Sequence, residues 1–253
     1  MLFDTHTHLD DEKFDTDRDE LIGSLKNEGI SLLVNVGADM KSSEKSIALA
    51  QKYDFIYASV GVHPSDTKDL TDKDIATLEK MAQHEKVVAI GEIGLDYYWD
   101  EPEREIQKEW FLKQLLLSKK LNMPYIIHDR DAHADTLEII KKVGHTNGVM
   151  HCFSGSVEMA KEVISLGMYV SLSGTVTFKN AKKAQEVASV VPLDRLLIET
   201  DSPYLTPEPF RGKRNNSANV KYTAQKIADL RGIKFEDLAK ITLENGKRFY
   251  NIK

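Results

Sequence analysis

The chain has 253 residues, of which 41% are hydrophobic and 29% charged, with 14 glycines and 7 prolines; this ordinary globular balance excludes disordered, collagenous and low-complexity classes. Lys plus Arg total 34 against 40 Asp plus Glu, a formal charge of −6 with neutral His, so the chain is no general polyanion binder, although a local basic rim remains open to it. A lone cysteine (Cys152) permits no intrachain disulfide, and the sequence shows neither a basic, apolar leader nor a run of roughly 20 apolar residues, so a soluble, cytoplasmic protein is expected.

Short runs rich in Val and Ile alternate with longer amphipathic segments along the whole chain. In chain order, strands are expected at 2–8, 31–36, 57–62, 87–93, 125–128, 149–153, 169–173 and 196–200. The second helical segment sets Lys41 and Lys45 against Ile47, Ala48 and Ala50. The clearest helix is 103–121, with Ile106, Trp110, Phe111 and Leu115 on one face and the 112–117 stretch assigned to the core. Gly29, Gly144 and Gly167 stand just before strands, where a helix C-terminus favours glycine. Pro124 opens the fifth strand, a position that tolerates a missing N–H. Residues 206–219, with Pro207, Pro209 and Gly212, read as a long loop, and helices at 220–231 and 235–250 follow. Strict alternation with apolar strands implies a buried parallel sheet, and eight units in this length imply an α/β fold, a (β/α)8 TIM barrel with extra C-terminal helices. The rival, an open doubly wound sheet, would carry a Gly-rich phosphate turn after its first strand, where this chain has His and Asp. No Pro/Ser/Gly linker divides the chain, so residues 1–253 are expected to form one domain.

In a barrel of this kind chemistry sits at the C-terminal ends of the strands. Those ends carry His6 and His8, then His63, Glu92 and Asp96, then His128, Asp129 and Arg130, then His151, and finally Glu199, Asp201 and Ser202. His6 and His8 are two apart on a strand and so share a face. Two imidazoles inside an apolar barrel are costly unless partnered, and a divalent cation can accept both lone pairs. The plain alternative is a pair of hydrogen-bonded core histidines. Nitrogen and carboxylate donors without thiolate suit Zn, Mn, Fe, Co or Mg. His84, His133 and His145 fall on helices or loops and read as solvated surface residues. Cys152, adjacent to His151, should face away from it as a buried apolar filler.

Six ordered segments then resemble one family. They are FDTHTHLD at 3–10, GVHP at 61–64, GEIGLD at 91–96, IHDR at 127–130, HCFSG at 151–155 and ETDSPYL at 199–205. Together they are similar to the TatD family of metal-dependent deoxyribonucleases, within the amidohydrolase-like metallo-hydrolases, and they span essentially the whole chain. The resemblance implies two divalent metal ions per chain, Mg, Mn or Zn. His6, His8 and Asp201 would hold the first ion, His128 and His151 the second, and Glu92 would bridge both. Related amidohydrolases bridge their metals with a carboxylated lysine where this chain has Glu92. His63 and Glu199 match positions that touch substrate or support the ligands.

Hydrolysis of a phosphodiester needs a nucleophile, neutralised charge in the transition state and help for the leaving oxygen, and two cations roughly 3.5–4 Å apart can supply all three. Asp201 is the candidate general base, with a purely ligating role as its alternative, and Glu92 shares the catalytic assignment through the bridge. Arg130 at the rim suits a phosphate oxygen, or else an ion pair with Asp131 or Asp135. Tyr97, Tyr98 and Trp99 suit stacking on unpaired bases, although packing of a loop on the rim is expected of at least one. Arg211, Lys213 and Arg214 form the one dense basic loop and offer counterion release to nucleic acid, or else a solvated surface. The expected activity is a deoxyribonuclease of the 3′–5′ exonuclease type acting on single-stranded DNA or DNA ends. Its alternative is an ester or amide hydrolase on the same site, such as an aminoacyl-tRNA deacylase, because fold does not choose substrate. A binding barrel without turnover is the remaining class.

Overall fold

A computed structural model describes Met1–Lys253. Eight strands appear in chain order: β1 (Leu2–Thr7), β2 (Ile30–Val36), β3 (Ile56–Val60), β4 (Val87–Asp96), β5 (Tyr125–Arg130), β6 (Gly148–Met150), β7 (Tyr169–Leu172) and β8 (Leu196–Ile198). Each pairs in parallel with the next, in the order β1 to β8. Beyond the last ladder, Asp201 N–H donates to the His6 carbonyl at 2.9 Å and His8 N–H to the Ser202 carbonyl at 2.8 Å, bringing the two sheet edges together. Seven helices separate the strands: α1 (Arg18–Leu25), α2 (Met40–Lys52), α3 (Asp72–Met81), α4 (Arg104–Leu121), α5 (His133–Val143), α6 (Val157–Ser165) and α7 (Lys182–Val190). The C-terminal additions are α8 (Val220–Arg231) and α9 (Phe235–Phe249). The expected α/β barrel with extra helices is what the chain forms.

Local chemistry fixes the helix ends. Asp39 and Ser42 form a reciprocal capping box at the start of α2, satisfying N–H groups that a helix leaves unpaired. Gly144 ends α5 in the left-handed region at φ 65°, as a C-terminal glycine should. On α4, Trp110, Phe111 and Leu115 are buried, whereas Leu116 is 46% exposed and leaves the expected core stretch incomplete. No helix is long and apolar enough to cross a membrane.

Two apolar layers result. The larger lies between strands and helices, and includes Leu33, Ile56, Ile90, Phe111, Leu115 and Ile198. The smaller contains Val34, Ile126, Val149 and Leu197, together with Phe249 at the end of α9 and Tyr250 and Ile252 beyond it. Ile126 and His128 are two residues apart within β5, so by the two-residue period Ile126 lies beneath that polar group. The barrel interior is thus apolar low down and polar at its C-terminal mouth.

Candidate metal centre

Six of the side chains expected to hold metal, from five strand ends, meet in one cluster. His6 and His8 come from β1 and the residue after it. Their Nε2 atoms stand 3.1 Å apart, as the two-residue spacing requires. Glu92 reaches the interior through an irregular β4, where the register on β5 shifts between Ile90 and Ile93. A bulge of this kind re-aims a side chain beside an active site. Gly94 follows at φ 143°, and a Cβ there would meet the His128 carbonyl oxygen at 2.0 Å, so glycine is demanded by both conformation and close approach. Asp201 lies past β8 in the left-handed region at φ 55°, a conformation Asp tolerates better than most residues. That turn directs its carboxylate at the β1 histidines.

Two groups of donors share Glu92. On one side, His6 Nε2 lies 3.5 Å from Glu92 Oε2 and 3.6 Å from Asp201 Oδ1. His8 Nε2 lies 3.6 Å and 3.4 Å from the same two oxygens. Donors about 2.1 Å from a common ion at tetrahedral angles stand about 3.4 Å apart, so these separations match a cation's coordination shell. On the other side, Glu92 Oε1 lies 2.9 Å from both His128 Nδ1 and His151 Nε2, which are 3.5 Å apart. The donor set therefore fits one divalent ion at His6, His8, Glu92 and Asp201 and a second at Glu92, His128 and His151. His63 Nε2 is 3.9 Å from Glu92 Oε1. Its Nδ1 accepts from the Ser65 N–H, so the neutral ring carries its proton on Nε2 and is a donor toward the site.

The imidazoles are aimed from behind, the arrangement typical of metal-ligating histidines. His8 Nδ1 donates to the Val36 carbonyl at 2.9 Å, His128 Nε2 to Asp96 Oδ2 at 2.9 Å, and His151 Nδ1 to Glu199 Oε1 at 3.2 Å. In the neutral tautomer each bond leaves the opposite nitrogen, which faces Glu92 or Asp201, free to ligate a cation. Only His6 Nδ1 lacks a partner; it is buried, and its ring stacks on His151 at 4.0 Å. Burial disfavours charge on Glu92, but His151, His128 and His6 hold its carboxyl well below the usual range. For His8, burial opposes protonation, yet the bond to Asp201 and the charges of Glu92 and Asp201 push it up to about 9. Burial likewise opposes protonation of His151, and Glu92 and Glu199 raise it well above normal. Burial and His128 lower His63 to about 3, so it stays neutral. The centre keeps its carboxylates ionised and attracts positive charge.

The cavity above these groups has a volume of about 820 Å³. Eight carboxylates line it, with Arg130 as the one guanidinium and no lysine. Arg130 pairs with neither Asp131 nor Asp135: it lies over the Tyr98 ring at 3.7 Å, while Asp135 is held by Lys108 and Tyr97. Tyr97 therefore packs the loop, whereas Tyr98 and Trp99 are 56% and 65% exposed. In the basic loop, Arg214 is engaged by Asp17 at 2.8 Å and is not free for a polyanion. Arg211 lies over Phe178.

Cys152 departs from expectation. β6 stops at Met150, so strand alternation no longer applies at His151 and Cys152. Cys152 turns at φ 41° and lines the cavity, with Sγ 3.2 Å from Ser173 Oγ. Burial pushes its thiol up to about 12, so it is an inert wall. The three outlying histidines also have partners: His133 bonds Asp129, His84 bonds Gln51, and His145 bonds the Met123 carbonyl. Asp96 is the role that sequence reasoning left unassigned. Its position four residues after Glu92 on a strand end was visible, but its bond to His128 was not.

Comparison with known proteins identifies relatives of the whole chain. The family model described as TatD related DNase matches residues 3–251. The chain is 51% identical to the uncharacterized metal-dependent hydrolase YabD of Bacillus subtilis, over 100% of both chains. It is 40% identical to YcfH of Escherichia coli, another uncharacterized metal-dependent hydrolase, over 100% of this chain and 96% of that one. Among solved structures, the TatD homologue YJJV of Escherichia coli superposes with a TM-score of 0.94 at 29% identity, covering 100% of this chain and 98% of that one. An organophosphorus hydrolase variant from Deinococcus radiodurans shares the fold at a TM-score of 0.66 and 13% identity, covering 98% and 92%. The chain belongs to the TatD family and is a metal-dependent hydrolase.

Proposed function

We propose that the protein is a deoxyribonuclease of the 3′–5′ exonuclease type, hydrolysing phosphodiesters of single-stranded DNA or DNA ends in the cytoplasm. The observation that carries this reading is the pair of donor groups divided by the two oxygens of Glu92, beneath a rim that offers one guanidinium and the exposed rings of Tyr98 and Trp99. Two bound divalent cations would supply charge neutralisation for the phosphoryl oxygens and lower the pKa of an attacking water. The chain's own residues do the rest. Asp201, held ionised because His8 and His6 outweigh its burial, accepts the proton of the attacking water at a carboxylate oxygen. Arg130, stacked on Tyr98 and without a carboxylate partner, takes a non-bridging phosphate oxygen. His63 donates from Nε2 to the same group or its neighbour. Tyr98 and Trp99 stack on the bases next to the scissile bond. Glu199 holds His151 through Nδ1 and the Cys152 N–H at 2.6 Å, so it positions a ligand and does not meet the substrate.

One observation favours a second reading. The cavity's surplus of carboxylates, Asp10, Asp39 and Asp66 among them, suits a substrate with an ammonium group beside its ester, as in an aminoacyl-tRNA. A panel separates the two. Purified protein with Mg or Mn and end-labelled single-stranded DNA is expected to release mononucleotides, and a chelator is expected to stop it. Nucleotide release that is indifferent to chelation, or turnover of aminoacyl esters with none of DNA, overturns the nuclease reading.

A further inference from the structure

The opposite end of the barrel carries a second polar site. Asn147 precedes β6, Gly167 precedes β7 and Arg195 precedes β8, so all three sit at the N-terminal mouth, and Arg248 joins them from the last turn of α9. With Thr146 and Tyr169 they line a cavity of about 360 Å³ that no carboxylate enters. Arg195 just precedes β8 and Glu199 just follows it, four residues or about 13 Å apart at strand rise, so the basal cavity is separate from the metal centre.

The two guanidiniums here have no carboxylate partner, unlike three others in this acidic chain. Arg18, Arg104 and Arg214 each hold an aspartate. Arg195 and Arg248 hold only neutral acceptors. Arg195 donates to the Gly167 carbonyl at 3.1 Å. Arg248 donates to the Tyr169 hydroxyl at 3.0 Å, the Asp194 carbonyl at 2.8 Å and Asn245 Oδ1 at 2.7 Å. With five N–H groups per guanidinium, these four bonds leave six donors unspent. The Tyr169 side chain, in a residue only 5% exposed, accepts from Arg248 and so has its own O–H left to give. Arg248 is thereby fixed before any ligand arrives, which lowers the ordering cost of binding.

We propose that this basal cavity is an anion site for a phosphate group, taken between Arg195 and Arg248 with the Tyr169 hydroxyl as a third donor. A tetrahedral dianion matches two forked cations and a neutral donor better than a carboxylate or chloride does. Free inorganic phosphate and the phosphate of a small monoester share this chemistry.

Calorimetry on the metal-loaded protein tests it, with inorganic phosphate, adenosine 5′-monophosphate and chloride at equal ionic strength. Phosphate bound at the metal centre is unaffected by basal substitutions, so only the component that those substitutions remove counts. Arg195→Gln and Arg248→Gln are each expected to weaken that component about tenfold or more, the worth of a charge-assisted bond. Arg248 also braces α9, so its variant risks the fold; Arg195→Gln gives up one bond to Gly167 and is expected to keep the wild-type melting temperature. Tighter binding of the nucleotide assigns the site to monoesters, and equal or weaker binding assigns it to free phosphate. Phosphate affinity that is unchanged in both variants, or matched by chloride, overturns the proposal.

Discussion

Replacing Glu92 by Gln tests the shared carboxylate at nearly constant shape. Oε1 faces His128 and His151 at 2.9 Å, and Oε2 faces His6 and His8 at 3.5 and 3.6 Å. The amide removes the negative charge and puts an N–H₂ donor where at least one donor group needs a lone pair. Removing one partner from a buried charge cluster costs about 3–5 kcal/mol, and each 1.4 kcal/mol is tenfold. Metal affinity is therefore expected to fall between about a hundredfold and several thousandfold, for both ions together. The apolar layer below the site, Ile126, Val149 and Leu197 included, does not involve Glu92, so the variant is expected to stay folded. Competition against a chromophoric chelator gives both affinities and the stoichiometry, and circular dichroism checks the fold. One affinity lost with the other intact would refute the bridge; two intact affinities would refute the centre.

Three further outcomes follow from the same geometry. Asp96→Asn loosens the bond that fixes His128, and metal affinity or turnover is expected to drop about 10–100-fold, read by the same competition and by initial rates. His8 gains a proton on folding, from 6.5 to about 9, so in metal-free protein its contribution, up to about 3 kcal/mol, is complete below pH 6.5 and lost as pH rises through 9. Metal affinity should rise over that window by about tenfold per pH unit as His8 yields its proton, and a flat titration would contradict this. Tyr98→Ala and Trp99→Ala are each expected to weaken single-stranded DNA binding by about 1–3 kcal/mol, with little change in melting temperature, as read by fluorescence anisotropy.

The barrel was legible because its strands are apolar on both faces and its helices on one, a pattern carried by the order of apolar and polar residues along the chain. The cluster of donor side chains was legible for a related reason: a two-residue period on β1 forces His6 and His8 together, and strand ends converge in a closed sheet. What escaped was set by backbone departures from that period. β6 ends at Met150, so Cys152 turns into the cavity instead of away from it. The irregular β4 runs on to Asp96, beyond the expected 87–93, and brings that carboxylate to His128. The partner of His8 is a backbone carbonyl, Val36, which no residue type announces. Arg214 reads as a free cation in sequence, yet Asp17, about 200 residues away, claims it.

The most direct measurement is anomalous scattering from crystals of the protein, collected on both sides of the absorption edges of Mn and Zn and paired with elemental analysis. Two peaks roughly 3.5–4 Å apart on either side of Glu92 are predicted, one touching His6, His8 and Asp201 and the other His128 and His151. A single peak, or ions bound to none of these side chains, would contradict the two-cation centre.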